Sequence, residues 1–481
     1  MTNGQQPSNW HLGAGCLCHS PQMRRITCTV EEALSRRTVL KGLAGAFAVG
    51  ALGRALPAAA EAPKPIVLAN ARIFDGVAAD LIDGRDIVVE AGRIKALVPR
   101  GQAVENAQVI DCTGKVVMPG LIDAHWHTFM AAVPQALAMT ADAPYIHLLA
   151  TQEAGRTLLR GFTSVRDAGG PAFALKKAID EDRFPGPRIY PSGAMISQTA
   201  GHGDFRFRNQ IPSTPMSPLS PAEKEGVTII ADGIPEVLKR TREQLLLGAS
   251  QIKVMVGGGV SSMYDPLDSI QFTAPEIKAA VDAANDWGTY VCAHVYTSAG
   301  IERALACGVR SIEHGQLADE EAVKRMADAG AWWSLQPFLA DEDSNPKATP
   351  LQQAQQREIS EGTIRSFELF RRFNVKTAIG TDILFNPAGT RSQGRQIAKL
   401  GRWMPNIDVL RLVTSQNGEL LALSGERNPY PGKLGVVAED AHADLLVVDG
   451  NPLEDISIIG DPDNRMNLIM KAGTIFKNTL V

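Results

Sequence analysis

Two kinds of hydrophobic patterning divide the chain. Over residues 63–117, short apolar runs are broken by Gly/Asp turns, as in IVLANARIFDG, DIVVEAGRIKALV and AQVIDCTGKVVMPG. This pattern predicts short strands joined by tight turns. The same style returns over 429–481, in ADLLVVDGNP and LIMKAGTIFKN. Two β-rich ends flanking a different middle predict one accessory domain, a β-sandwich built from both termini.

The middle, 118–428, has another rhythm. Apolar runs close VVMPGLIDAHWH and recur at 163–169, 188–196, 251–256, 290–295, 311–316, 332–337 and 376–382, which makes eight candidate strands. Between them lie amphipathic segments such as EVLKRTREQLLLG, APEIKAAVDAANDWG and GTIRSFELFRRFN, several ending in Gly as helix stops do. The alternation predicts an α/β fold, a (β/α)8 TIM barrel, with its chemistry at the C-terminal ends of the strands.

Ahead of these segments, SRRTVLKG at 35–42 places paired arginines before LAGAFAVGALGRALPAAAEA, which offers small-residue cleavage sites near 58–62. This predicts a twin-arginine-type signal over 1–62, and so an exported, periplasmic or secreted protein that leaves the membrane once the signal is removed. Arg54 and Pro57 interrupt the Gly/Ala-rich stretch and argue against a membrane anchor. A net charge of −4 without a basic stripe argues against nucleic acid and leaves small molecules as partners. Cys16, Cys18 and Cys28 fall in the removable segment, and Cys112, Cys292 and Cys307 in apolar text, so no disulfide framework is expected. Cys16, Cys18 and His19 are discounted as a metal cluster for the same reason.

Filtering for strand ends isolates the candidate chemistry. His125 and His127, two apart, share a face with Trp126 turned away, and two imidazoles so placed can grip a metal. His294, His314 and Asp382 end later runs, and His202 lies in the long loop after the third. Such N and O donors suit zinc and similar cations. Lys253 interrupts IKVMV, where a bare ammonium loses its proton or carries a desolvation cost of roughly several kcal/mol. A lysine that takes up carbon dioxide becomes an anionic carbamate able to bridge two cations. The alternative is pairing with an acid such as Asp167 or Glu313.

Arg206 and Arg208, in the same long loop, offer a fork for a substrate carboxylate, with plain solvation the alternative. Trp332, Trp333 and Phe338 either wall a pocket or pack the barrel, one tryptophan being structural. Gly257, Gly258 and Gly259 read as a tight strand exit rather than a phosphate cradle.

In order, GLIDAHWH, QIKVM, CAHVYT, SIEHG and IGTD resemble the amidohydrolase superfamily over roughly 64–478. The likeness is to its branch of imidazolonepropionase-like proteins, Xaa-Pro or Xaa-Arg dipeptidases and ochratoxin-hydrolysing amidases. The resemblance implies two divalent metal ions, zinc by default. His125 and His127 would bind one, Lys253 as an N6-carboxylated lysine would bridge both, and His294 and His314 would bind the second. Asp382 would ligate the first and shuttle protons from a water whose pKa falls toward about 7.

It further implies that His202 and Tyr296 contact the substrate, His202 also steadying the oxyanion, and that the chain forms a homo-oligomer. Lys253 sets the chain apart from true imidazolonepropionases and deaminases, which lack the bridging lysine and use one metal. The implied reaction is hydrolysis of the amide bond of a dipeptide or N-acyl amino acid. A cyclic amide or lactone hydrolase using the same site, or a non-catalytic metal-dependent binding protein, are the other readings.

Overall fold

The computed structural model describes residues 64–480 apart from 215, 263, 346 and 348. The signal expected over 1–62 lies outside the described residues. The first strands are β1 (Ile66–Ala69), β2 (Arg72–Ile73), β3 (Arg85–Glu90), β4 (Arg93–Pro99), β5 (Gln108–Asp111) and β6 (Val116–Pro119). The middle supplies β7 (Leu121–Trp126), β8 (Phe162–Asp167), β9 (Arg188–Pro191), β10 (Met195–Ser197), β11 (Thr228–Ile230), β12 (Ile252–Met255), β13 (Val291–Thr297), β14 (Ser311–Leu317), β15 (Trp332–Leu335) and β16 (Lys376–Ile379). The last are β17 (Leu445–Val448), β18 (Met466–Lys471) and β19 (Thr474–Asn478).

Both chain ends build the flanking sheets. One has the order β4-β3-β1-β5 and the other β19-β18-β17-β6-β2. Alternate residues of both, among them Leu68, Ile87, Val117, Leu445 and Leu468, are buried in one shared apolar cluster, as the period-2 pattern requires. Gly120 divides the first long apolar run. On one side β6 pairs antiparallel with β17, and on the other β7 pairs parallel with β8. A Cβ at Gly120 would collide with the Thr163 side chain, so the run changes sheets where only glycine fits.

The middle is α/β. A three-stranded sheet β7-β8-β9 and a seven-stranded sheet β11-β10-β12-β13-β14-β15-β16 are parallel throughout. Capped helices return the chain between strands. Thr273 and Glu276 form a capping box on Ala274–Asp286, Asp319 caps Glu320–Asp328, and Thr349 with Gln352 caps Pro350–Arg372.

Hydrogen bonds join the two sheets along both edges. Ser250 N–H donates to the Pro191 carbonyl at 2.8 Å on one side. On the other, Asp382 N–H donates to the His125 carbonyl at 2.8 Å. There the Asn417 amide also donates to the carbonyls of Ile122 (2.6 Å) and Ile379 (2.8 Å) and accepts from Ile379 N–H (2.9 Å). The arrangement is consistent with a TIM-barrel-type fold. The third expected run breaks into β9 and β10 around Gly193, and β11 pairs outside β10 where no strand was expected. Among the described residues, no helix is long and apolar enough to cross a membrane.

Candidate active site

One cavity of about 1190 Å³, open mouth included, lies at the C-terminal strand ends. His125, His127, His202, Lys253, His294, Tyr296, His314 and Asp382 all line it. Their local placement follows from strand periodicity. His125 and His127 flank Trp126, which turns away to pack against Ala150, Ala154 and Ile179 of the outer helices. His294 and Tyr296, two apart on β13, likewise share a face.

The groups converge closely. Asp382 Oδ1 lies 3.1 Å from His127 Nε2 and 3.6 Å from His125 Nε2. The Lys253 amine lies 3.3 Å from His125 Nε2. Ligand atoms of His125, His314 and Asp382 all fall within 4.8 Å of one another, so these three could hold a cation. The ring centroids of His294 and His314 are 4.4 Å apart, and the His202 ring stacks on His294 at 4.0 Å.

The backbone is strained where two of these groups are presented. His314 has φ +74° and Asp382 φ +49°, left-handed values that cost a non-glycine residue of order 1–3 kcal/mol. The consequence at His314 is specific. Ser311 and Glu313 face the strand interior, where the Ser311 hydroxyl donates to Glu313 at 2.6 Å. Strict alternation would send His314 to the opposite face. Its left-handed turn brings it back, and its ring centroid lies 4.9 Å from that of His125.

Each ring is steered by the group behind it. Glu313 Oε2 lies 2.8 Å from His125 Nδ1, the Gly169 carbonyl 3.2 Å from His127 Nδ1, and Gln336 Oε1 2.7 Å from His314 Nδ1. An Nδ1–H donated to these acceptors leaves Nε2 as the lone pair turned to the cavity. His294 is turned the other way, with Nε2 3.1 Å from the Gly258 carbonyl. Behind Glu313 sits Arg166, wholly buried, which donates to Glu313 Oε2 at 2.5 Å, to the Ala124 carbonyl at 2.5 Å and to Ser334 Oγ at 3.0 Å.

Burial sets the charge states. It holds His125 down to about 4 and His294 and His314 well below their ordinary value, so the rings are neutral at pH 7. It lowers Lys253 toward the neutral amine. For Asp382 burial opposes ionisation, but the imidazoles of His125, His127 and His314 outweigh it and hold the carboxyl below the usual range. Burial raises Tyr296 well above its ordinary value, keeping it a phenol.

Several expectations need correction. Arg206 does not line the cavity. Its Nε and Nη2 are engaged by Asp204, at 2.8 Å and 2.5 Å, rather than turned into the cavity. Arg208 stacks over the Tyr264 ring instead. Neither tryptophan walls the pocket. Both are buried in apolar clusters, Trp333 donating its indole N–H to the His314 carbonyl at 2.7 Å, while Phe338 does line the cavity.

The acids considered as partners for Lys253 are engaged elsewhere. Glu313 is held by Arg166, and Asp167 accepts from the N–H groups of Thr128 (2.7 Å) and Gly169 (3.2 Å). Gly258 and Gly259 are explained by close approach. A Cβ would strike the Pro266 carbonyl at the first and the His202 ring at the second.

Sequence reasoning considered Glu313 only as a partner for Lys253, not for His125, and missed Arg166, Gln336 and Asp265. Arg166, a charge inside an otherwise apolar run, carried a usable signal. Asp265, 3.2 Å from His202 Nδ1, carried none, because it reaches the histidine from a separate loop. A second acidic group, Asp341, Glu342 and Asp343, is engaged in ion pairs by Lys399 and Arg395.

Comparison with known proteins agrees with this geometry. The sequence model of the Amidohydrolase family matches residues 116–475. Ochratoxinase of Aspergillus niger is 31% identical over 380 residues, covering 75% of this chain and 76% of that protein. A prolidase solved in complex with N-methylphosphonate-L-proline is 34% identical with a TM-score of 0.78, over 86% of this chain and 100% of that one. An Xaa-Pro dipeptidase with bound methionine is 27% identical with a TM-score of 0.74, over the same shares. The chain belongs to the Amidohydrolase family and is a hydrolase acting on amide bonds.

Proposed function

We propose that the protein is an exported, binuclear metal-dependent hydrolase of dipeptides or N-acyl amino acids, including aromatic acyl amides of the ochratoxin type. On this reading the two parallel sheets are one (β/α)8 barrel, and the flanking sheets are a β-sandwich drawn from both termini. One observation carries the proposal: Lys253, buried and without a carboxylate partner among the described residues, lies beside His125 in a cluster of neutral imidazoles around Asp382. A neutral amine is the form that reacts with carbon dioxide, and the carbamate would remove the burial penalty by serving as a shared ligand.

The donor set fits divalent cations, zinc first: His125, His127 and Asp382 for one, His294 and His314 for the other, with Lys253 between. When bound, such cations supply Lewis acidity, making a water nucleophilic near neutral pH and polarising a carbonyl. The protein's own groups do the rest. Asp382, held as a carboxylate, accepts the attacking water's proton and returns it to the leaving nitrogen. His202, with Nδ1–H against Asp265, would donate Nε2–H to the developing oxyanion in its doubly protonated form, which the Asp265 carboxylate favours by proximity. The ochratoxinase and prolidase likenesses support amides that end in a free amino acid.

The test is to incubate the metal-loaded protein with a mixed Xaa-amino acid dipeptide library and with N-benzoyl-L-phenylalanine, following products by mass spectrometry. Release of free C-terminal amino acids is expected. Cleavage confined to cyclic amides or lactones would overturn the assignment.

A further inference from the structure

We infer that Lys347, on the loop after β15, anchors the free α-carboxylate of the substrate's leaving amino acid and restricts the cavity to amides that carry one. The inference rests on the hydrolase reading above and deepens it by naming the group the substrate must present.

The cavity lining contains three lysines, Lys253, Lys347 and Lys399. Lys253 lies in the histidine cluster. Lys399 is saturated by three acids, with Asp341 at 2.9 Å, Glu342 at 3.0 Å and Asp343 at 2.5 Å. Lys347 differs from both. Its Nζ donates to the Ser261 hydroxyl at 2.9 Å, and no carboxylate ion pair engages it among the described residues. An ammonium has three N–H donors, so a neutral hydroxyl leaves two unused.

The position is costly without an anion. Burial disfavours the charged form of Lys347, and Asp382 across the cavity offsets this only in part. A bound carboxylate would relieve that penalty and accept the remaining donors through charge-assisted hydrogen bonds. Tyr296 lines the same cavity and its hydroxyl supplies a second hydrogen-bond donor.

The surroundings fit an amino acid rather than a bare anion. Ser261 follows Val260, which is buried with Leu267, Tyr296 and Ile359, with Phe338 packed against them. An apolar side chain laid on this wall would place its own α-carboxylate at the Ser261–Lys347 edge. Arg206, the guanidinium in the neighbouring long loop, cannot substitute because Asp204 holds it.

The test compares binding of L-phenylalanine with that of L-phenylalaninol, which lacks the carboxylate, to the metal-loaded protein by titration calorimetry. Lys347→Met and Lys347→Arg are run beside the wild type. Wild type is expected to hold phenylalanine at least tenfold more tightly than phenylalaninol. Lys347→Met should erase that preference and leave phenylalaninol binding unchanged, which shows that the cavity is intact, whereas Lys347→Arg should keep it. A wild type without the preference, or a Lys347→Met protein that retains it, overturns the inference.

Parallel kinetics with N-benzoyl-L-phenylalanine separate this inference from the hydrolase reading. A Lys347-dependent preference in a protein that cleaves nothing would leave the anchor standing and remove the hydrolase. Cleavage with KM unchanged in Lys347→Met would do the reverse.

Discussion

His125 is held between an acid and a base. Its Nδ1 faces Glu313 at 2.8 Å, its Nε2 faces Lys253 at 3.3 Å, and burial holds the ring down to about 4 against an ordinary 6.5. The stability consequence has a definite sign. Between pH 6.5 and about 4 the unfolded chain binds a proton that the folded ring refuses, so folding stability is full above 6.5 and is lost as pH falls toward 4. In protein stripped of metal by chelator, the thermal midpoint should therefore fall steadily over that window, and His125→Asn should flatten part of the slope. Parallel slopes in both proteins would show that the ring is not responsible.

At this scale His125, His127, His294, His314 and Asp382 were legible because each closes an apolar run, whereas His202 lies in a loop and its substrate role came from the resemblance. Glu313 was not legible as a partner of His125, because a single acid inside SIEHG gives no hint that the next residue turns left-handed and that both reach His125. Arg206 was read as free although Asp204 stands two residues before it, because the sequence does not show that the loop folds the two side chains together.

The elements matter as carriers of pairs. β7 brings His125 and β16 leads into Asp382, and Asn417 bonds both strands at the seam through Ile122 and Ile379. Asn417→Ala would leave two buried carbonyls and one N–H without partners, at about 1–3 kcal/mol each. Hydrogen exchange should quicken in the segments around 122–125 and 379–382 while the flanking sheets stay protected. Unchanged exchange at the seam would mean that packing alone holds it.

Each of the eight expected runs holds a strand because buried parallel strands appear as apolar runs, but the middle carries ten strands among the described residues, β7 to β16. The break at Gly193 sits inside one apolar run, and β11 spans only Thr228–Ile230, too short for any periodicity to register. Gly120 hid a change of sheet within what reads as a single strand.

At the scale of the whole molecule, the cavity is assembled from loops far apart in sequence, and this limits what the sequence could say about substrates. Lys347 meets Ser261 across 86 positions, and His202 meets Asp265 across 63. No local pattern encodes either contact, whereas His125 and His294 are presented by their own strands. The contacts proposed to set specificity therefore come from the fold, and the reaction class came from the resemblance that the strand-end motifs carry.

The most direct test of the binuclear assignment is metal content per subunit, measured by plasma mass spectrometry on protein purified with bicarbonate, beside Lys253→Ala prepared identically. About two equivalents in the wild type, falling in the variant together with hydrolysis of N-benzoyl-L-phenylalanine, is the expected result. One equivalent that the substitution leaves unchanged would contradict it and make Lys253 a structural residue.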